Sequence, residues 1–480
     1  VTNIIEIHRD NAVEQGFTLQ GVGVHSSGTG IFILADDIFI SDNTITDTFM
    51  GIYAISNDSS FTKNEFSSLG RGMWLLSSHE SLVADNTFGD NFYEDITAGG
   101  SNCIITNNTF TGKYGLNIWK NNQTVVSDNT FLNSCLIDFY ESYYNVVSDN
   151  TFVHGGFSVY KSHHNSVFNN TRDGIPIVYL DGEKDKIIDT AAQVILVQCE
   201  NIMVQGIAFA DLPYGIYLEN TKHSNISECT FSNCGQGISL YLDCWRNGIF
   251  NCRFNACPWG ITVHGSSLFN SILNNTITSS DEAAILIDGS FNRISNNTIS
   301  NATLGISLTT IHPYEQPSNT RARRGNMVSF NTVQDAQYGI VVNACFTHVK
   351  SNRVTDCMIG IGVADLASFS FDALKGNVIQ DNSLENNQLG LMMDLTVFTT
   401  IQKNNFISNV EQVSYEGIGL IGQIAGTRWR RNYWGDTSVM PKAIPGVIYV
   451  STGYGDKISY SKIHWVEFDW FPAQHPYSLS

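Results

Sequence analysis

Charge is scarce in this chain. Asp, Glu, Lys and Arg make up only 15% of its 480 residues, and the basic half is the scarcer, 26 against 45, which leaves a net charge of −19. A nucleic-acid partner needs a basic surface, so that class is excluded. Long apolar runs are missing as well: none approaches a membrane span, and no lipidation signal is present. Proline is rare, with 9 residues, and no apolar stripe of helical period runs through the sequence. Low charge does not mean disorder here, because 42% of the residues are hydrophobic. A chain of 480 residues is too long for one ordinary compact core, which leaves several domains or a repeat array. It starts at Val1 with no signal peptide, and is expected to be a processed or trimmed product.

What is present is a repeated phrase. "VVSDNTFLNS" at 125–134 returns as "VVSDNTFVHG" at 146–155. The Asn before the Thr-Phe step, or its counterpart, falls at Asn43, Asn64, Asn86, Asn108, Asn129, Asn150 and Asn170, at intervals of 20–22 residues. After an irregular stretch over 171–198 the position is taken up by Cys229, Cys252, Asn275, Asn297, Asn331, Asn352, Asn382 and Asn405. A second phrase keeps step with it, beginning at Gly215, Gly237, Gly260, Gly305, Gly339 and Gly360, as in "GIYLEN" and "GITVHGS". Apolar and variable residues alternate within it, which is strand periodicity.

A period near 22 with two or three short strands per repeat describes a coil of parallel strands. A leucine-rich horseshoe needs a Leu consensus and a helical return segment, and neither is visible. The recurrent Asn then has a physical task. Side chains stacked about 4.8 Å apart can hydrogen-bond along the axis and satisfy turn backbone that would otherwise be buried unpaired. The expected fold is all-β, a single-stranded parallel β-helix over 1–436 of roughly eighteen to twenty coils, a rod about 90 Å long. Insertions are expected near 310–326 and 364–377, and 437–480, with its "HWVEFDWFPAQHPY", as a C-terminal capping segment.

The phrases "NNTISN" and "GIYLENTKHSNISECTF", the interruption "IPIVYLDGEKDKIIDTAAQVILVQCENIMVQGIAF" and the closing "RRNYWGD" at 430–436 resemble NosD-type β-helix proteins and related archaeal and bacterial cell-surface proteins. The resemblance covers most of 17–436 and implies a right-handed coil. It points to three kinds of function: periplasmic accessory proteins for copper-enzyme maturation, carbohydrate-active enzymes, and envelope or surface-layer proteins.

Candidate sites are few. Aligning the Gly-Ile phrases gives an outward row of Glu219, Tyr241, His264, Asp288, Thr309, Asn343, Ala364 and Asp394. Only His264 beside Asp288 resembles an acid–base pair, and general acid–base chemistry asks for a denser constellation. A solvated face is expected there, with no catalytic residue. In the N-terminal half the row reads Trp119, Phe139 and Tyr160, flanked by Lys120 and Lys161. It can serve as a sugar-stacking strip or a subunit contact, or lie under a loop. Arg321, Arg323 and Arg324 form a basic loop that suits an acidic sister subunit. Asn57, Asn122 and Asn301 lie in sequons away from the repeat position and are the better glycosylation candidates.

His154, His163, His164 and the Met392–Met393 pair show no metal-ligand spacing, and no metal or cofactor is expected. Cys229 and Cys252 share one repeat position, Cys234, Cys257 and Cys357 another, and Cys199 and Cys244 a third. Stacked neighbours lie within disulfide range, but side chains in register point alike, so disulfides and a reduced Cys ladder both stand open. The favoured reading is an extracellular structural protein of a cell envelope, sheath or surface layer that self-assembles, with glycosylation and disulfides as open possibilities. Its partners are copies of itself and cell-surface glycans, and it is not expected to be an enzyme. Residues 1–20 read like an interior coil with no capping helix before them, which motivates the homopolymer. The alternatives are a carbohydrate-binding or polysaccharide-cleaving β-helix, and an accessory protein for copper delivery.

Overall fold

A computed structural model describes residues 3–21, 23, 28–133, 136–308, 324–363, 374–394, 396–419, 427–435, 441–452 and 459–478. The protein is an all-β parallel solenoid of about 17 turns with about 22 residues per turn. That is fewer turns than the sequence phrases suggest. The stretch after Thr171 folds back as an antiparallel step, with Thr171 against Pro176. The last two strands, Lys442–Thr452 and Ser459–Asp469, pair antiparallel instead of adding coils.

The chain divides into two compact units, the first made of 1–184, 188–199 and 211–217, the second of 185–187, 200–210 and 218–480. In the first unit each coil contributes three short strands to three parallel sheets. One coil supplies Leu116–Trp119, Val125–Ser127 and Thr130–Phe131, and the next supplies Leu136–Tyr140, Val146–Ser148 and Thr151–Phe152. Equivalent residues stack along the axis, so Phe66, Phe88, Phe110, Phe131 and Phe152 form one buried pile with ring centroids 4.7, 5.2, 4.5 and 4.6 Å apart.

The phrase Ser-Asp-Asn-Thr now has a geometry. Its Asp turns the chain in the left-handed region, with φ of 55° at Asp42, 59° at Asp85, 58° at Asp128 and 60° at Asp149. Asp and Asn tolerate that region better than other residues with a Cβ. The following Asn points inward. Each Asn Oδ1 accepts two bonds from the preceding rung, as Asn129 does from Asn108 N at 2.9 Å and Asn108 Nδ2 at 3.0 Å. The rungs Asn43, Asn64, Asn86, Asn108, Asn129, Asn150 and Asn170 run without a break.

In the second unit, long strands such as Thr298–Leu308 and Thr332–Val342 bridge two sheets. A ladder runs through Asn275, Asn297, Asn331, Asn352, Asn382, Asn404 and Asn432. Asn404, not Asn405, is the rung: Asn405 exchanges two 2.8 Å bonds with the Tyr477 backbone.

The ladder ends on a charge. Every rung donates forward, so the last donors, Asn432 N and Nδ2, reach the Asp469 carboxylate at 2.8 and 3.1 Å. Asp469 is fully buried and also takes the Arg431 amide at 3.0 Å. A carboxylate is the strongest acceptor available for a column of aligned donors. Asp469→Ala is expected to destabilise the last coil by about 2–4 kcal/mol, seen as faster amide exchange at Arg431 and Asn432 than at Asn352. Equal exchange rates in variant and wild type would refute the terminal rung.

Candidate functional site

The first unit has two eight-stranded sheets, and the strands of the one that runs from Ile5–Ile7 to Gly156–Tyr160 alternate inward and outward residues. Their outward row runs Phe32, Tyr53, Trp74, Thr97, Asn117, Asp138 and Ser158 in direct register. It starts aromatic: Phe32 and Tyr53 stack at 5.4 Å, and Tyr53 meets Trp74 edge-on at 5.9 Å. It turns polar after Trp74. Two residues further along the same strands, a second row of Trp119, Tyr140 and Tyr160 takes over the aromatic role.

This corrects the sequence reading of Trp119, Phe139 and Tyr160. Phe139 is fully buried, and Tyr140 holds the outward place between Trp119 and Tyr160. In "LIDFY" the alternation puts Ile137 and Phe139 inside and Asp138 and Tyr140 outside; alignment one residue off flips the face. Tyr140 and Tyr160 stack at 4.9 Å with planes 12° apart. The Trp119 ring packs beside Gly99, where an added Cβ would meet it at 3.4 Å, an ordinary van der Waals contact. Lys120 Nζ lies 5.1 Å from the Trp119 ring and Lys161 Nζ 4.8 Å from that of Tyr160.

Beside the polar row, Arg71 pairs with Glu94 at 3.2 Å while its guanidinium sits 5.3 Å from the Trp74 ring and 5.7 Å from that of Tyr93. Asp138 is pushed above the ordinary carboxylate range, chiefly by burial and further by the Glu94 charge, against a hydrogen bond with Ser158. Burial, helped by the Asp138 charge, also raises the Tyr214 phenol. Two buried polar atoms of the row have no protein partner: the Trp74 Nε1 donor and the Asn117 Oδ1 acceptor. Buried polar atoms are nearly always satisfied, so these two call for water or a ligand hydroxyl. The arrangement is a strip of flat rings beside a row of hydrogen-bonding groups repeated at the coil spacing.

The other candidates fall elsewhere. His264 does not stand on a solvated face. It is buried, 5.8 Å from the Tyr241 ring, among equally buried outward residues such as Thr262, Leu286 and Val341. Apolar side chains at those outward positions belong to a covered surface, which the sequence row did not reveal. Arg321 and Arg323 lie outside the described residues, as do most positions of the two insertions; Arg324 is exposed, 5.9 Å from the Phe291 ring. Asn122 and Asn301 are exposed, whereas Asn57 is half-buried with its side-chain oxygen taken by the His79 amide at 3.1 Å. Cys229, Cys234, Cys252 and Cys257 are buried thiols. Among the described residues no group of three or more His, Cys, Asp or Glu could hold a metal ion.

A second set of inward Asn residues escaped the sequence reading. Asn145 and Asn165 form one short ladder, ending on Asp181 Oδ2, which takes the Asn165 amide at 3.1 Å. Asn247, Asn270, Asn292 and Asn326 form another. The signal was there, an Asn just before the middle strand in "YYNVV", "HHNSV", "FNSIL" and "FNRIS".

The family described as periplasmic copper-binding protein (NosD) matches residues 4–185, 173–316 and 318–451. No curated protein matches the chain. Among solved structures, the catalytic unit of a GH87 alpha-1,3-glucanase from Streptomyces thermodiastaticus is similar at 11% identity and a TM-score of 0.40, over 66% of this chain and 59% of that one. The chain thus spans under two thirds of the glucanase unit. A tailspike protein of an E. coli bacteriophage, in complex with a pentasaccharide, is similar at 13% identity and a TM-score of 0.38, over 85% of this chain and 74% of that one.

Proposed function

The chain belongs to the NosD family, and from that premise we propose that it is an envelope protein that binds a neutral polysaccharide along the outer face of its first unit. The observation that carries this reading is the doubled row on three consecutive coils: Asn117 with Trp119, Asp138 with Tyr140, Ser158 with Tyr160. Sugar rings present apolar faces that stack on Trp and Tyr, and equatorial hydroxyls that pair with amide, carboxyl and hydroxyl groups. Parallel strands repeat every 4.7–4.9 Å or so, which lets successive sugars meet successive coils. A neutral polymer is favoured over an acidic one because the net charge is −19 and Glu94 and Asp138 lie close enough to interact beside the row.

Trp119→Ala and Tyr140→Ala are each expected to weaken binding about ten-fold, roughly 1.4 kcal/mol. Phe269→Ala, at an exposed ring of the second unit, is expected to change nothing. Calorimetry against neutral homopolysaccharides and uronic-acid polymers checks both expectations. Unchanged affinity in the Trp119 and Tyr140 variants would remove the strip from function. A second reading, a layer built from copies of this chain, rests on the exposed apolar side chains Val13 and Phe17. A monodisperse monomer in sedimentation at high concentration would rule it out.

A further inference from the structure

In both units the sheet built from the middle strand of each coil carries no acidic residue on its outer face. The first unit's sheet runs from Val13–Gln15 to Ser166–Phe168 in direct register. One outward row includes Phe39, Leu82, Ile104, Val125 and Val146, and the other Ser41, Thr62, Thr106, Ser127 and Ser148. No residue of either row is charged, although this unit holds 23 of the 45 Asp and Glu and only 8 of the 26 Lys and Arg. The acids stand at the rims. Asp37, Asp58 and Glu80 are exposed in the left-handed turns before the strands, and Asp42, Asp85, Asp128 and Asp149 in the turns after them, where Lys63 interrupts the row.

The second unit's counterpart runs from Met203–Gln205 to Arg428–Arg430. Among the described residues its outward rows hold no Asp or Glu, and they include the exposed cations Arg293, Lys350, Arg428 and Arg430. Where the first unit's leading rim is acidic, this one is aromatic. Phe291, Phe346 and Phe398 are exposed there, in turns with φ of 57°, 52° and 53°. Phe291 and Phe346 lie over Gly325 and Gly376 of the next coil, where a Cβ would come within 2.7 and 2.5 Å of the ring. The Arg324 guanidinium adds a charge 5.9 Å from the Phe291 ring.

We propose that the uncharged face of the first unit, with its acidic rims, packs on the acid-free face of the second unit of another copy of this chain. The two faces complement each other in charge and repeat at the same strand spacing of about 4.8 Å. Exposed apolar rows of this extent mark interaction surfaces. Eight strands span about 38 Å, and rim to rim is about 17 Å, a contact of about 1,300 Å² counting both partners. Specific interfaces bury about 1,200–2,000 Å². An anionic membrane fits only the second face, whereas a second copy fits both. These are contact surfaces for the layer reading above, on which this inference rests, and glycan binding is separate from it. A contact between unlike faces leaves one of each free on a pair, so it propagates unless it closes into a ring.

Sedimentation velocity of the full chain at rising concentration, in about 0.05 and 0.5 M salt, tests the pairing. Wild type is expected to self-associate, at least about ten-fold more weakly in the higher salt. Asp85→Lys with Asp128→Lys reverses the first rim, in turns of a kind that Lys63 already adopts. Arg293→Glu with Arg428→Glu reverses the second face. Each double variant is expected to associate at least about ten-fold more weakly, and mixing the two should restore association, because each keeps one native face. Circular dichroism checks folding, and Ile104→Gln or Phe346→Ser replaces a double variant that fails to fold. Association that survives every variant would leave a layer but overturn these faces. An effect of only one double variant would mean that like faces pair, which overturns them as well. A wild-type monomer would sink the layer reading too, and if that monomer bound vesicles of anionic phospholipid through Arg293 and Arg428, the second face would belong to a membrane.

Discussion

Asn129→Ala is expected to lower the stability of the first unit by about 3–5 kcal/mol. Removing this side chain strands groups on both sides. Its Oδ1 is the acceptor for Asn108 N and Nδ2, at 2.9 and 3.0 Å. Its Nδ2 serves Ile105 O, Ser127 O and Asn150 Oδ1, at 2.9, 2.9 and 3.0 Å. All of this lies out of reach of water, because Asn108, Asn129 and Asn150 are at most 1% exposed. A buried group left without its partner bears its full desolvation penalty, about 1–3 kcal/mol each. The methyl group that replaces the amide can satisfy none of them. Asn129→Asp is expected to be no milder, since it keeps the acceptor but turns a buried oxygen towards Ile105 O, Ser127 O and Asn150 Oδ1. Asn122→Ala, at an exposed position, is expected to stay within about 0.5 kcal/mol of wild type. Urea unfolding at neutral pH checks all three. A loss below about 1 kcal/mol for Asn129→Ala would mean that water or backbone shifts replace the ladder.

The repeat made most of this fold readable, because two adjacent residues each have a fixed job in every coil. Asp128 takes the left-handed turn, with φ of 58°, and Asn129 enters the ladder, so "SDNT" must recur wherever a coil closes in that way. The second ladder was hidden by its turn residues. Tyr144, His164, Phe269 and Phe291 occupy the left-handed region before Asn145, Asn165, Asn270 and Asn292, with φ of 58°, 60°, 56° and 57°. Tyr and Phe rarely adopt that conformation, so no local propensity marks the turns at Tyr144, Phe269 and Phe291. They are held by stacking across coils instead: Tyr144 on His164 at 5.3 Å and Phe269 on Phe291 at 5.2 Å. The candidate site was half readable. Trp119 and Tyr160 showed in the alternation, but the single-residue offset at Phe139 and Tyr140 concealed Asp138 as well. Glu94 and Arg71 reach the row from just before and at the start of their strands, which no alternation pattern locates.

Close to that row, Asp95→Asn is expected to abolish a pH dependence of stability that the wild type carries between about pH 4 and 7. Asp95 is 1% exposed; Asn91 Nδ2 holds its Oδ1 at 2.7 Å, and its Oδ2 has no partner. Burial, opposed by the Asn91 bond and reinforced by the charges of Asp90 and Glu94, pushes its carboxyl from 3.8 up to about 7. The sign follows from which state holds the proton. Below the unfolded value both states are protonated and the group has no net effect. As pH rises the unfolded chain ionises first, so unfolding releases a proton and stability falls until the folded value is passed. At about 1.4 kcal/mol per pH unit the full penalty approaches 4 kcal/mol or so. A neutral carboxamide accepts the same Asn91 bond and has no proton to lose. Variant and wild type should therefore be equally stable near pH 4, with the variant ahead by up to about 4 kcal/mol at pH 8. Urea midpoints across that range decide it, and parallel curves would show that Asp95 ionises normally. The same physics bears on the site. Asp95 and Asp138 are both held above the usual carboxylate range in one region of the sheet. Burial already opposes ionisation of both carboxyls, and a uronate would add a further negative charge beside them where an uncharged sugar adds none.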